Sequence, residues 1–475
     1  MKLTVATNWD EELIKQYADL GVSSVWGVMD KTPVGGGRPY CILAKVSKKE
    51  VENYVKGVHS AGMKFDYLLN APCMNNLEYT KETNREMINH LEWINSIGAD
   101  GVVVTIPLIM EIIKEQFPKL AVKVSTICHV NSVQRALLFE ELGVDSITLD
   151  FNINRDFNLI KKIREAVKSK LIVLANDGCI YQCPYRFYHY NIIGHASQTT
   201  NPGFYIDYCL VRCTIKRFSS PVELMKSRWI RPEDVHLYEE IGIDYLKVGG
   251  RRMSTKWLAN AAMAYHDRKY NDNLGDLLDI SQLCVDPDMR SPQYRNFLSD
   301  SGKVDAEKIA QIGQNYPVKP YIDNKKLNGF INFFNGHDCL SGCGTCNYCK
   351  SWAEKAVTIN EEEASKYISA MTALLKDLRT SKIFRSEDKK PAKEGELSWN
   401  EDTKNMLNEV IQSSVPRGFK DIALMVIKSG SERNAKTRGS MTVEKEDLVG
   451  SFLRDTPSIF QKDMRNYLKT KGIAV

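Results

Sequence analysis

Eight of the chain's twelve cysteines fall into close-spaced groups, and clustered thiols in a reducing compartment bind metal or do redox chemistry more often than they form disulfides. Cys179 and Cys183 make one Cys-x3-Cys pair and Cys209 and Cys213 another, separated by a polar, aromatic loop. Cys339, Cys343, Cys346 and Cys349 make a tighter run. A thiolate pair two or three residues apart can wrap one face of a metal centre, and two such pairs supply four ligands. Four thiolates suit either zinc or an iron–sulfur cluster. The scattered Cys41, Cys73, Cys128 and Cys284 read as small buried hydrophobes.

The first three cysteines of the later run also meet the Cys-x3-Cys-x2-Cys spacing of radical SAM enzymes. In those enzymes the triplet follows the first barrel strand and leaves one iron open. Here the run comes late in the chain, and a fourth cysteine stands ready to close the site. It therefore reads as a fully ligated second 4Fe-4S cluster, with structural zinc as the alternative.

These groups need elements to position them. From the first residue to about 270, short β-rich runs alternate with amphipathic helical stretches. The expected strands are Leu3–Thr7, Ser24–Val28, Lys64–Leu69, Gly101–Thr105, Val122–Thr126, Ser146–Leu149, Leu171–Leu174 and Tyr245–Val248. Several intervening helices stop on glycine, as at Gly21, Gly98, Gly143 and Gly242. Eight strands with helical crossovers are the count for a (β/α)8 TIM-type barrel, with a doubly wound sheet as the alternative. No GxGxxG follows the first strand, and Gly35, Gly36 and Gly37 read as a flexible loop, not a dinucleotide fingerprint. The connection after strand seven is far longer than most and carries Cys179, Cys183, Cys209 and Cys213 (insertion 175–235). Cys179 just past that strand puts the site at the C-terminal face, where barrel enzymes keep their active sites, which favours iron–sulfur over a structural zinc ribbon.

Polar residues just after the strands should gather on the same face: Asn8, Asp10, Arg38, Asn70, His129, Asn131, Asp150, Asn152, Asn176, Asp177, Arg251 and Arg252. Arg251 and Arg252 could hold a dicarboxylate in bidentate fashion. His129 could act as a general acid or base, with Asp150 and Asp177 as further catalytic candidates. Arg38, Asn70, Asn176 and Lys247 are the candidates for substrate binding. At least half of the Asn and Asp residues are expected to cap helices instead, and Lys247 is as readily a buried lysine paired with a barrel carboxylate. His189 and His195 lie in the cysteine loop as candidate ligands or donors to ligands, or as satisfied loop histidines. Glu233 and Asp234, after Pro232, read as a helix start.

The cysteine block GC-x3-CPYR-x2-H…C-x3-C, the stretch from Lys226 to Asp234 and the stretch from Tyr245 to Arg251 resemble the collagenase-like peptidase family U-thirty-two over roughly the first 280 residues. The resemblance implies a β/α barrel with a 4Fe-4S site on Cys179, Cys183, Cys209 and Cys213. It also implies kinship with oxygen-independent ubiquinone hydroxylation proteins and with RNA hydroxylation factors, some of which are thought to draw oxygen from prephenate. The cysteine spacing and the post-barrel segment depart from the RNA-hydroxylation members, so their substrate does not carry over. Neither HExxH nor GxSxG is present to support the peptidase name.

The organisation expected is a barrel over 1–280, a post-barrel cysteine segment over 281–379, a charged linker over 380–397 and a small helical domain over 398–475. The last is similar, through short motifs, to the C-terminal helical domain of the light-independent protochlorophyllide reductase B subunit. A net charge of +5 with 43% hydrophobic and 26% charged residues describes an ordinary globular chain and points to no particular partner. The opening residues read as strand, loop and helix without a signal peptide, and no apolar run is long enough to span a membrane, so the expected compartment is the cytoplasm. The function expected is an iron–sulfur enzyme catalysing an oxygen-independent redox reaction on a small or anionic organic substrate, hydroxylation leading, with an electron-donor protein as possible partner and nucleic acid not excluded. Peptide hydrolysis and a non-catalytic cluster-bearing subunit are the alternatives.

Overall fold

The computed structural model describes residues 1–200, 206–279, 318–383, 397–415, 420–456 and 461–473. Cys284, the side chain of Cys41, most of the expected linker and residues 280–317 of the post-barrel segment lie outside the described residues. The chain divides into two compact units, Met1–Arg385 and Ser386–Val475.

Eight parallel strands close the first unit into a barrel: β1 Lys2–Ala6, β2 Ser24–Gly27, β3 Lys64–Leu69, β4 Gly101–Val104, β5 Ala121–Val124, β6 Ser146–Thr148, β7 Lys170–Leu174 and β8 Tyr245–Val248. Each strand pairs with the next, and β1 pairs with β8, Thr4 opposite Lys247. The ends agree with the sequence reading to within two residues. The reason is physical: each strand is a short β-branched and apolar run, buried from both sides in a parallel sheet and ended by polar residues. Val5, Val25, Phe65, Val102, Val122, Ile147, Leu171 and Leu246 are all buried, and the crossover helices cover them with Leu13, Val51, Leu91, Ile109 and Ile160.

The post-barrel segment falls in the same compact unit as the barrel. Its described part packs into the same hydrophobic core as the barrel, through Phe330, Phe334, Ala353, Tyr367 and Met371. The helix Tyr348–Ala356 lies on Val222–Lys226, and Glu361–Arg379 lies on Tyr208–Ser219. The second cysteine run is thereby set against the insertion that carries the first.

The second unit has its own core of Leu407, Val410, Ile411, Ile427, Leu448, Phe452 and Leu468, from helices Glu401–Ser414, Lys420–Thr437, Lys445–Asp455 and Gln461–Thr470. Ser398–Trp399 pairs with Thr442–Val443. Among the described residues no helix is long and apolar enough to cross a membrane.

Candidate functional site at the barrel mouth

A cavity of about 160 Å³ opens at the C-terminal ends of the strands. Trp26, Leu68, Leu174 and Lys247 reach it from β2, β3, β7 and β8, and Arg38, Asn70, Asn176, Asp177 and Arg251 reach it from the loops that follow those strands. Cys179, Cys183, Cys209 and Cys213 line the same cavity, together with His189 and Arg217. The loops reach this close because of two glycines. Gly37 has φ +61°, and a Cβ there would lie 3.1 Å from the Asn70 Oδ1. Gly250 has φ +134°, and a Cβ there would run into the Trp257 ring, so only glycine lets the chain turn from β8 into Arg251.

The cations are held by an acid that the sequence reading missed. Asp279 lines the cavity and pairs with Arg38 Nη2 at 3.2 Å and with Arg252 Nε at 3.3 Å. Its backbone N–H donates to the Asn176 carbonyl at 2.8 Å, which folds the chain beyond β8 back over the mouth. Burial works against the Asp279 charge, but Arg38 and Arg252 hold its carboxyl below the usual range. Arg251 donates to the Gly36 carbonyl, while its Nη1 is buried with no partner among the described residues. Burial, reinforced by Arg38, pushes the Arg251 guanidinium down to about 9. Asn70 donates to Ser125 Oγ at 3.3 Å and keeps an unpartnered buried Oδ1.

Lys247 is not salt-bridged among the described residues. Its ammonium stands over the Trp26 ring, 4.3 Å from the centroid, while Lys123 takes the buried Asp66 at 2.7 Å. Burial pushes Lys247 down to about 7; Asp66 opposes the shift, and Lys123 and Arg251 add to it. Asn176 is structural: its Nδ2 donates to the Gly249 and Leu277 carbonyls, and its Oδ1 accepts from Gly249 N–H.

His129, Asp150 and Arg252 do not line the cavity. His129 Nδ1 lies 3.4 Å from Asp150 Oδ2, and Arg186 Nη2 lies 2.7 Å from Asp150 Oδ1. Burial opposes the Asp150 charge, yet His129 and Arg186 keep its carboxyl below the usual range. Arg186 does line the cavity, so this buried group braces the wall from behind. His129 Nε2 is buried without a partner among the described residues, and its ring packs on Phe187 and Tyr190. His195 turns away to Gln198, 3.0 Å off, whereas His189 sits 3.3 Å from Asp207 on the cavity wall. Capping accounts for Asn8 and Asp10, whose side chains accept from the N–H of Asp10 and Glu12. Pro232, Glu233 and Asp234 form a single 3-10 turn ahead of the helix that begins at His236.

Burial disfavours the thiolate form of three of the four cavity cysteines. Burial pushes Cys209 up to about 12, with Asp207 adding to the effect. Cys179 and Cys213 are also raised by burial, and Arg217 opposes both shifts. Arg217 itself donates to Cys213 Sγ at 3.3 Å and to the Gly178 carbonyl at 2.9 Å. In the later run, burial raises Cys349 and Cys343; Arg155 and Arg228 oppose this at Cys349, Lys226 and Arg228 at Cys343. Among the described residues no three His, Cys, Asp or Glu side chains are already drawn round one point. The cysteines of each group are neighbours, not a closed shell.

A model of Peptidase family U32 matches residues 41–276. The chain is 31% identical over 333 residues to the "Uncharacterized protease MJ1657" of Methanocaldococcus jannaschii, covering 69% of this chain and 86% of that protein. Among solved structures it is similar to the U32 peptidase Mk0906, at 22% identity with a TM-score of 0.41, over 53% of this chain and 93% of that one. It is also similar to a xylose isomerase domain containing protein from Salmonella typhimurium, at 12% identity with a TM-score of 0.30, over 56% and 94% of the two chains. The barrel assignment stands on the strand pairing itself, and on the sequence matches the chain belongs to Peptidase family U32.

Proposed function

We propose that the barrel mouth is an iron–sulfur redox site for an anionic organic substrate, with oxygen-independent hydroxylation as its reaction. One observation carries this reading: four cysteine thiols, the guanidiniums of Arg38 and Arg251, and the Lys247 amine line one cavity. Cys179, Cys183, Cys209 and Cys213 would hold the cluster, and the donor set fits, since thiolates are the ligands that such clusters take. When bound, the cluster supplies electron transfer at the cavity wall.

The rest of the work falls to the protein's own side chains. Arg251, whose Nη1 has no partner among the described residues, can form a charge-assisted bond to a carboxylate or phosphate, and Asp279 holds Arg38 beside it. Lys247, neutral above about pH 7, can take a proton from a substrate seated over the barrel interior. The apolar walls of Trp26, Leu68, Ile127 and Leu174 exclude water below the anion. Hydroxylation itself comes from the family resemblance and not from the cavity.

The test is anaerobic purification, followed by iron, sulfide and zinc analysis of the wild type and of Cys179/Cys183→Ala. Iron and sulfide in the wild type, with the share held at the barrel mouth lost in the variant, supports the reading. Zinc without sulfide at this site overturns it. Peptide hydrolysis is the second reading, favoured by the printed name of the relative and by the His129–Asp150 pair. It predicts cleavage of unfolded protein that survives removal of iron and fails in His129→Gln.

A further inference from the structure

Three residues of the barrel mouth hold buried polar atoms that have no partner among the described residues, and the types of those atoms describe what belongs there. Arg251 is 8% exposed, and its Nη1 is a donor of this kind. Trp26 is 7% exposed, and its indole Nε1 is a second. Asn70 supplies an acceptor, because its Nδ2 is tied to Ser125 Oγ at 3.3 Å while its buried Oδ1 is unpaired. Buried polar groups are ordinarily hydrogen-bonded, so two orphan donors on one cavity call for two oxygens on a guest. The charged donor, Arg251, suits a carboxylate. The neutral indole N–H suits the oxygen of a carbonyl.

The same cavity holds a primary amine. Lys247 extends from β8, where its neighbours across the barrel wall are Thr4 of β1 and Leu174 of β7. Its Nζ lies 4.3 Å from the Trp26 ring centroid, beside the orphan indole N–H, and makes no hydrogen bond or ion pair among the described residues. The carboxylate inside the barrel, Asp66, is taken by Lys123 at 2.7 Å. A lysine kept for structure would have claimed such a partner. The charged groups that act on Lys247 are Asp66 from β3, Lys123 from β5 and Arg251 beyond β8, and burial outweighs them, leaving the amine neutral above about pH 7. A desolvated lysine next to another cationic group is the setting in which this side chain becomes a nucleophile toward carbonyl carbon. A lysine that only abstracts a proton needs no donor at its side. An oxygen that gathers charge as its carbon is attacked does need one, and Trp26 Nε1 is that donor.

We propose that Lys247 captures an anionic carbonyl compound, an oxo acid, as an imine, with the carboxylate on Arg251 and the carbonyl oxygen toward Trp26 Nε1. This rests on the reading of the mouth as a site for an anionic organic substrate, and not on which metal the cysteines hold. The Lys247 lone pair forms the C–N bond while the carbonyl π bond opens onto oxygen. The C–O bond then breaks, both amine hydrogens leave with that oxygen as water, and the C=N bond forms. The step is a condensation, so it needs neither oxidant nor reductant. Asn70 Oδ1 is left to accept from a hydroxyl on the same guest.

The test uses full-length protein purified without oxygen and incubated with pyruvate or with 4-oxopentanoate, two oxo acids of different length. Sodium cyanoborohydride in the mixture reduces any imine to a stable secondary amine, and mass spectrometry of the intact chain and its peptides locates the adduct. The expected result is a single adduct on Lys247 with one of the two acids, missing from Lys247→Gln and formed at least tenfold more slowly in Arg251→Gln. Circular dichroism checks that both variants fold. A second readout needs no variant: trapping in the wild type should be half-maximal near pH 7, whereas exposed lysines keep gaining toward their usual 10.5. Label spread over surface lysines, equal in wild type and Lys247→Gln, overturns the inference, and so does no adduct with either acid. Iron, sulfide and zinc measured on the same samples keep the two readings apart. Iron and sulfide without an adduct sinks the imine alone, and an adduct on protein that holds zinc without sulfide sinks the redox reading alone.

Discussion

The two cysteine regions lie in one compact unit yet sit in opposite surroundings. Cys179, Cys183, Cys209 and Cys213 line a cavity whose other walls carry Arg38, Asn70, Lys247 and Arg251, groups that can meet a substrate. Cys339, Cys343, Cys346 and Cys349 do not line that cavity; Cys343 and Cys346 face solvent, and Tyr348, between Cys346 and Cys349, stacks on Phe330 and Phe333. The difference teaches that thiol spacing alone does not tell apart two such different surroundings. What separates them is whether polar groups with spare bonding capacity share the space.

The sharpest way to break the comparison is to remove thiols from each region in turn. Cys183→Ala should lower turnover by about a thousandfold or more, to background, because the reacting centre is lost. Cys346→Ala should leave substrate affinity unchanged, measured by calorimetry with the anaerobic protein. Equal loss of substrate affinity in both variants would erase the distinction between the two regions.

Next in size is the acid that organises the mouth. Asp279→Asn leaves Arg38 and Arg252 without their shared carboxylate, and breaking a buried pair of this kind costs about 3 kcal/mol. Urea unfolding of the variant should show that loss as a lower midpoint with an unchanged slope. Arg251→Gln comes third. It removes one charge-assisted bond to the substrate anion and should raise KM by about 10- to 100-fold, with kcat little changed. A change confined to kcat would assign Arg251 to the chemical step and not to binding.

Much of this was legible in the sequence, and the gaps have a common cause. The eight strands could be read because a parallel barrel buries each of them in a short apolar run, and the cysteines because their spacing is local. Arg38, Asn70, Asn176, Asp177, Lys247 and Arg251 were found by their position after or within strands, since the barrel turns that position into a shared face. Asp279 escaped because it lies well beyond β8 and returns through its bonds to Asn176, Arg38 and Arg252, none of them near it in sequence. His129 and Asp150 follow their strands as expected, yet Arg186, from a helix inside the insertion, takes the wall in front of them. That Phe330, Phe334 and Tyr367 of the post-barrel segment pack into the barrel's own core was not legible, because chain order hides such long-range packing.

Lys247 offers a further, smaller test of what makes the mouth distinct. Its ammonium is buried over Trp26, facing Lys123 and Arg251 with only Asp66 in opposition, and its proton is released near pH 7 in the folded protein but near the usual 10.5 when unfolded. Between those values the unfolded chain binds the extra proton, so stability should rise with pH by about 1.4 kcal/mol per unit from this residue, and should be insensitive to it below pH 7. Lys247→Met should flatten that slope, measured by urea unfolding at several pH values. An unchanged slope would mean that Lys247 stays charged in the fold and cannot serve as a base.

The smallest expected effect concerns exposure. Cys343 and Cys346 are open to solvent, whereas Cys209 is buried and Cys179, Cys183 and Cys213 are partly covered. Oxidation of cluster ligands follows access of oxidant to sulfur. On exposure to air, sulfide should therefore disappear severalfold faster from Cys179/Cys183→Ala, which retains only the outer run, than from Cys343/Cys346→Ala, which retains only the barrel mouth. The opposite order would mean that oxygen reaches the mouth through the open end of the barrel more readily than it reaches the surface run. The cavity, not the thiol exposure, would then govern how long each centre survives.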